Sequence, residues 1–253
     1  MSVNVMRDGH VGLVEVDRPP ANHFDMTTMN GLVEAVERLD ADSGCRALVL
    51  ASTGRHFSAG MDFSDAELGE ETARQAEAFY SCAARLFDTA TPLIAAVQGA
   101  AVGGGLGLAC AADFRVADAD TRFVANFALL GFHQGFGLSV TLPALVGGQA
   151  AADMLYTGRR IGGRQAVGIG LADRLAEPGE TRTAALRLAE EVAASAPLAV
   201  ASIRNTLRGD LARRVRTALA HELEEQRRLW ATNDAAEGVA AALQRRTPAF
   251  NGS

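Results

Sequence analysis

Lysine is absent from this chain of 253 residues; all 24 of its basic residues are arginine. No side-chain amine can therefore form a Schiff base, and any contact to a phosphate must come from Arg forks or backbone N–H groups. Cysteine occurs only at 45, 82 and 110, without metal-type or redox-type spacing, and Cys110 lies in an apolar stretch that reads as core. Aromatic residues make up 6% of the chain against 48% hydrophobic overall, so small side chains, including 26 glycines, must fill much of the interior. No apolar run reaches the roughly 18 residues that a bilayer span needs, and no charged-then-apolar leader opens the chain, so a cytoplasmic protein without membrane contact is expected. A net charge of −6 gives no electrostatic reason to bind nucleic acid. The five histidines lack ligand spacing, so no metal is expected. Dinucleotide fingerprint, phosphate-loop lysine motif, serine elbow and internal repeat are all missing.

What is present is a pair of glycine-bearing segments behind apolar, strand-like runs. Residues 46–51 lead into Phe57-Ser58-Ala59-Gly60-Met61-Asp62, and residues 92–97 lead into Gly99-Ala100-Ala101-Val102-Gly103-Gly104-Gly105-Leu106-Gly107. Each segment leaves backbone N–H groups at a strand end, and the second opens a small-residue helix. Two such donors, if they converge, stabilise negative charge on a carbonyl oxygen. Around them, Asp8-Gly9 between apolar runs predicts a hairpin over 3–7 and 11–16, and Thr27 or Thr28 is expected to cap a helix ending near Leu39. Strand, loop and helix then repeat through 46–51, 70–87, 92–97, 105–112 and 113–117, which indicates an α/β fold. Helices near 147–156 and 163–169 precede a short strand at 171–175. Beyond 180 the pattern is wholly helical, with runs over 182–194, 198–208, 210–231 and 234–246. We divide the chain into a core, 1–195, and a helical appendage, 196–253.

The two segments resemble the oxyanion hole of the crotonase superfamily, the enoyl-CoA hydratase/isomerase family of acyl-CoA enzymes. Further stretches are similar to that family in the expected order: Asp17-Arg18-Pro19-Pro20-Ala21-Asn22, Ala112-Asp113-Phe114-Arg115-Val116-Ala117, Leu155-Tyr156-Thr157-Gly158 and Arg245-Arg246-Thr247-Pro248-Ala249-Phe250. The resemblance implies a spiral of β-β-α turns with a C-terminal helical appendage that packs into homotrimers or hexamers. It implies an acyl-CoA thioester as partner, with coenzyme A as part of the substrate and no separate cofactor. Met61 and Gly104 are then the backbone donors, Ala21, Asn22, His23, Ala59 and Phe63 lie near the adenine end of the coenzyme A handle, and Asp62 stands beside the donor Met61 in the substrate-binding loop. Arg55, just before this loop, is either a phosphate contact or a solvated surface arginine, and the resemblance implies a second contact from the tail near Arg246 and Phe250 of a neighbouring subunit. The acyl wall is expected from the 76–87 helix (Phe79, Leu86, Phe87) and from Phe127, Phe132 and Phe136.

One departure matters. Hydratases of the family work with two glutamates, and the matching positions here are Gly107 and Phe127; an acidic group that some relatives carry further on corresponds to Gly135. No carboxylate occurs between Asp120 and Asp153, so a shifted alignment supplies none. Water addition by paired carboxylates is therefore not expected. His133, in Phe132-His133-Gln134-Gly135-Phe136-Gly137, is the only side chain in that stretch that titrates near neutrality, which makes it the candidate acid/base. Asn126 and Ser139 are weaker polar candidates, while Asp62 and Asp113 read as structural. The expected function is thioester-enolate chemistry by a lyase or isomerase of this family, feeding fatty acid metabolism. A non-catalytic acyl-CoA-binding paralogue, or a decarboxylase or hydrolase of the same superfamily, is the alternative. An RNA-binding role is disfavoured by the acidic charge.

Overall fold

A computed structural model describes residues 2–63 and 68–253. The opening hairpin pairs β1 (Ser2–Asp8) with β2 (Val11–Asp17) in antiparallel register about Asp8 and Val11, as the Asp8-Gly9 turn predicts. Helix α1 (Met26–Asp40) follows. Its cap is Asp25, whose carboxylate accepts from Thr28 N at 2.7 Å, and not either threonine of the sequence reading. Burial opposes its ionisation, but the Thr28 bonds and the Arg18 charge outweigh it and hold the Asp25 carboxyl below its ordinary pKa. Asp25→Ala is expected to cost about 1 kcal/mol, read as a lower thermal midpoint.

The main sheet then runs β1-β2-β3-β4-β6-β9, with β3 (Ala47–Ser52), β4 (Leu93–Val97), β6 (Phe114–Ala117) and β9 (Arg174–Leu175) all parallel. Strands β3 and β4 are buried along their whole length, as befits parallel strands covered on both faces. Alternate residues divide between two cores. Ala47, Val49, Ile94, Ala96 and Val116 meet α6 (Thr181–Ala193) through Ala185, Leu188 and Ala189. Leu48, Leu50, Leu93, Ala95 and Val97 face the larger core, which contains α1 and α2 (Glu70–Ala84, extended by a 3₁₀ turn over Arg85–Phe87).

A second sheet of three short strands escapes the sequence reading: β5 (Ala100–Val102), β7 (Arg122–Val124) and β8 (Arg160–Gly162), in the order β5-β7-β8. Three residues show no period, and β5 lies inside the glycine segment. Helix α3 (Gly104–Ala111) starts directly after β5. Helix α4 (Leu138–Thr157) is long and apolar enough by composition to cross a membrane, yet Pro143 lies within it and Gly147, at φ 78° and ψ 157°, breaks it into two short pieces. Helix α5 (Gly163–Gly168) follows. Cys45, Cys82 and Cys110 are all buried free thiols, and burial pushes Cys110 up to about 11.

The C-terminal region comprises α7 (Pro197–Arg208), α8 (Leu211–Trp230) and α9 (Asn233–Gln244). Asp113, read from sequence as structural, ties α7 to the core: it accepts from Leu93 N at 2.8 Å and pairs with Arg204 at 3.0 Å and Arg208 at 2.7 Å. Helices α8 and α9 return over the core, and residues from both reach the cavity described next.

Candidate active site

Because β3 and β4 are parallel neighbours, their C-terminal ends emerge on the same edge of the sheet, the edge where open α/β sheets place ligands. The two glycine segments leave from those ends and meet. Ser58 N donates to Ala100 O at 3.0 Å, and Val102 N donates back to Ser58 O at 3.0 Å. The first segment is held from below by Asn22, whose side-chain amide donates to Thr53 O at 2.8 Å and to His56 O at 2.7 Å.

Along the first segment each amide is spent in turn: Phe57 N on Gln98 O, Ser58 N on Ala100 O, Ala59 N on Ala21 O and Gly60 N on Ser58 Oγ. Met61 N is the first with no partner among the described residues. On the second segment Val102 N and Gly103 N are likewise spent, on Ser58 O and Val124 O. Gly104 opens α3, where the first-turn amides have no intrahelical acceptor and the helix dipole adds about half a positive charge. Gly104 is partly exposed, whereas Gly105 is sealed against Ser58. The two segments are close-packed here: a Cβ on Gly60 would stand 3.1 Å from Gly104 N.

Met61 and Gly104 border a cavity of about 240 Å³. Although aromatics are scarce, eight of the chain's fourteen line it. Phe24, Phe79, Tyr80 and Phe136 form one connected group, with Phe79 at 6.0 Å from both Tyr80 and Phe136. Phe63, Phe127, Phe132 and Trp230 form another around Phe132, with centroids 5.6 to 6.4 Å away. Such rings bury large apolar area and keep a reacting group away from water.

Of the residues expected at the site, His23, Ala59, Met61, Asp62, Phe63, Gly104, Phe127 and Phe132 line this cavity, together with Asn126. His23 Nδ1 lies 3.2 Å from Gly60 O, so it donates there when it carries the proton. Three of the expected residues stand outside this cavity. Asn22 is wholly buried and its side chain is consumed by Arg18 N, Thr53 O and His56 O, so it shapes the loop and offers nothing to a ligand. Ala21 stands outside the lining and gives its carbonyl to Ala59 N. His133 is also outside it: the loop turns Phe132 and Phe136 inward, while the His133 ring stacks edge-on to His221 at 5.9 Å on α8. On the acyl wall, Phe79, Phe127, Phe132 and Phe136 are in place, but Leu86 and Phe87 are core residues away from the cavity. Arg55 is not part of the lining, and Arg246 pairs with Glu237; that bond and Ala249 N hold the Glu237 carboxyl down to about 2.

Other groups crowd the glycines matched above to acidic positions of the family. A Cβ on Gly107 would stand 2.6 Å from Phe136 Cγ, so the Phe136 ring takes that place. A Cβ on Gly135 would stand 2.7 Å from Tyr80 Cζ and even nearer its hydroxyl. A distant carboxylate, Glu222, does reach this loop, but it caps α4 by accepting from Gly137 N at 2.8 Å and Ser139 N at 2.9 Å, and it does not line the cavity. The lining residues that sequence reasoning missed are chiefly on α8 and α9: Gln226, Trp230, Val239, Ala242 and Leu243. A signal existed. Glu222, Gln226 and Trp230 recur at every fourth position, so two polar residues share the buried stripe with the chain's only tryptophan.

Comparison with known proteins adds an independent finding. The model of the enoyl-CoA hydratase/isomerase family matches residues 7–253. The chain is 36% identical to a Thermus thermophilus relative in the enoyl-CoA hydratase group, covering 96% of this chain and 98% of that one. It is 32% identical to the carnitinyl-CoA dehydratase of Proteus mirabilis, covering 99% and 98%. Among solved structures, the enoyl-CoA hydratase/isomerase of Pseudoalteromonas atlantica superposes with a TM-score of 0.87 at 29% identity, covering 99% of this chain and all of that one.

Proposed function

Since the chain belongs to the enoyl-CoA hydratase/isomerase family, we propose that it is an acyl-CoA enzyme that grips a thioester oxygen with the amides of Met61 and Gly104 and dispenses with the two-glutamate hydratase chemistry. The observation that carries this reading is the pair of unspent N–H groups at one end of an aromatic-lined cavity. Polarising the carbonyl acidifies the α-carbon and stabilises an enolate, and each donor of such a pair is worth about 10²–10³ in rate. Among the described residues, the acyl walls carry no carboxylate. That favours reactions needing the hole most and a strong base least, such as decarboxylation or carbon–carbon cleavage, over addition of water. Among the described residues, the titratable side chains on the lining are His23, Asp62 and Tyr80, the last pushed above its ordinary pKa by burial and so kept as a neutral phenol.

Crotonyl-CoA tests the reading directly. It is expected to bind, with its conjugated thioester absorbance shifted to longer wavelength by the polarised carbonyl, and not to be hydrated. Rapid loss of that absorbance would refute the absence of hydration, and failure to bind would refute the acyl-CoA site. A panel of acyl- and carboxyacyl-CoA esters then separates an enzyme from a binder, because a binder shifts the absorbance and turns nothing over.

A further inference from the structure

Tyr80 belongs to two hollows. It lines the cavity that Met61 and Gly104 border, and it also lines a surface groove of about 380 Å³ between α2 and α8. Among the described residues no other lines both, so this one residue stands between the cavity and the groove. Its place along the cavity follows from the ring contacts. A Cβ on Gly104 would stand 3.9 Å from Phe24 Cδ2 and 4.0 Å from Phe136 Cδ2. Those two rings approach Phe79 with centroids at 6.3 and 6.0 Å, and Phe79 in turn meets Tyr80 edge-on at 6.0 Å. Tyr80 thus ends the run of aromatic wall that starts at Gly104.

The ring is fixed in that place. It is 8% exposed, and its hydroxyl donates to Gln226 Oε1 on α8 at 3.0 Å. Gln226 Nε2 donates to His133 O at 3.0 Å; a carbonyl only accepts, so the amide is oriented with its oxygen toward the phenol. The same loop presses on the ring, since a Cβ on Gly135 would stand 2.7 Å from Tyr80 Cζ. A side chain packed and bonded in this way holds one rotamer and acts as a wall. Behind it the groove has an apolar floor of Ala84, Leu219 and Leu223, while its arginines are drawn aside, Arg216 to Asp88 and Arg227 to Glu224 at 3.5 Å. We propose that Tyr80 is the end wall of the acyl site and sets the longest acyl chain that the protein accepts, holding back a tail that would otherwise run on into the groove between α2 and α8. The inference rests on the acyl-CoA reading above and narrows its substrates to acyl chains short enough to end at Tyr80.

The test is calorimetric binding of butanoyl-, hexanoyl-, octanoyl-, decanoyl- and dodecanoyl-CoA to the wild-type chain, Tyr80→Ala and Tyr80→Leu. Each methylene that the cavity buries tightens binding about fourfold, so wild-type affinity should climb with length and stop climbing once the tail meets the ring. In Tyr80→Ala the climb should run further, raising the ratio of dodecanoyl- to butanoyl-CoA affinity at least about tenfold over the wild-type ratio. Tyr80→Leu keeps a buried apolar group, covers the case in which Tyr80→Ala does not fold, and should move the ratio the same way. Ala220→Trp, at an exposed position of the groove, should take that gain away when added to Tyr80→Leu, because it narrows the space the tail has entered. Wild-type affinity still climbing at dodecanoyl-CoA overturns the proposal while leaving the acyl-CoA site intact. A limiting length that neither Tyr80 substitution moves also overturns it, as does a gain that survives Ala220→Trp. Absence of binding by every ester instead removes the acyl-CoA reading, and the end wall with it.

Discussion

Gly107→Glu, which places a carboxylate where a hydratase of this family is expected to have one, is expected to destabilise the protein by about 4 kcal/mol or more and to confer no hydration. A Cβ at this buried position would stand 2.6 Å from Phe136 Cγ, and the Phe136 ring, 2% exposed and packed against Phe79, could yield only by moving into the cavity it lines. A carboxylate forced in there would also be desolvated without a partner. Phe136 itself has φ 62°, a left-handed backbone that costs a non-glycine residue roughly 1–2 kcal/mol. Phe136→Gly therefore relieves backbone strain while opening the volume that the glutamate needs. The double variant should be more stable than the two single effects sum to, since the pair shares one space. Urea unfolding of the four chains measures this, and a Gly107→Glu protein as stable as the wild type would show that Phe136 does not fill the site. Crotonyl-CoA hydration should remain absent even in the double variant, because Phe127 still stands at the second position.

Much of this arrangement was legible in the amino-acid sequence, and what was not has physical reasons. The β3 and β4 runs are almost wholly apolar and each leads into a glycine-bearing segment, so the two strand ends and the segments behind them could be placed without coordinates. The lack of any carboxylate between Asp120 and Asp153 was equally plain. The groups that crowd Gly107 and Gly135 were not, because Tyr80 reaches Gly135 from a helix more than fifty residues upstream, and Phe136 reaches Gly107 from a loop. His133 was chosen as the one side chain titrating near neutrality in an acid-free stretch, but composition cannot say which way a loop residue turns. Phe132 and Phe136 point inward because aromatic burial outweighs exposure of an imidazole that can meet His221 at the surface. The assignment of 196–253 to an appendage followed from its helical, Arg- and Glu-rich pattern, which records solvent exposure well. It does not record that one stripe of α8 closes a cavity.

Gly60→Ala carries the largest expected effect on function: a loss of about 10²–10³ in turnover of the chain's acyl-CoA substrate, together with loss of the absorbance shift of bound crotonyl-CoA. Gly60 has φ +82°, and a Cβ there would meet Val102 O at 2.7 Å and Gly104 N at 3.1 Å. Both are backbone atoms, so the methyl group can be accommodated only by separating the segment that ends in Met61 from the one that begins α3. That separation moves the two donors relative to each other, and the geometry of a charge-stabilising pair tolerates little displacement. Backbone strain alone must be told apart from damage to the hole, and the turn just before that segment supplies the control. Gly54 also has a left-handed backbone, φ +72°, yet its nearest neighbour to an added Cβ is Pro19 Cβ at 3.7 Å. Gly54→Ala therefore bears similar strain without touching Met61 or Gly104. If both variants lose the same thermal stability but only Gly60→Ala loses the absorbance shift and turnover, the effect belongs to the paired amides. If Gly60→Ala keeps both readouts, the thioester oxygen is not held between Met61 and Gly104, and the proposed chemistry falls with it.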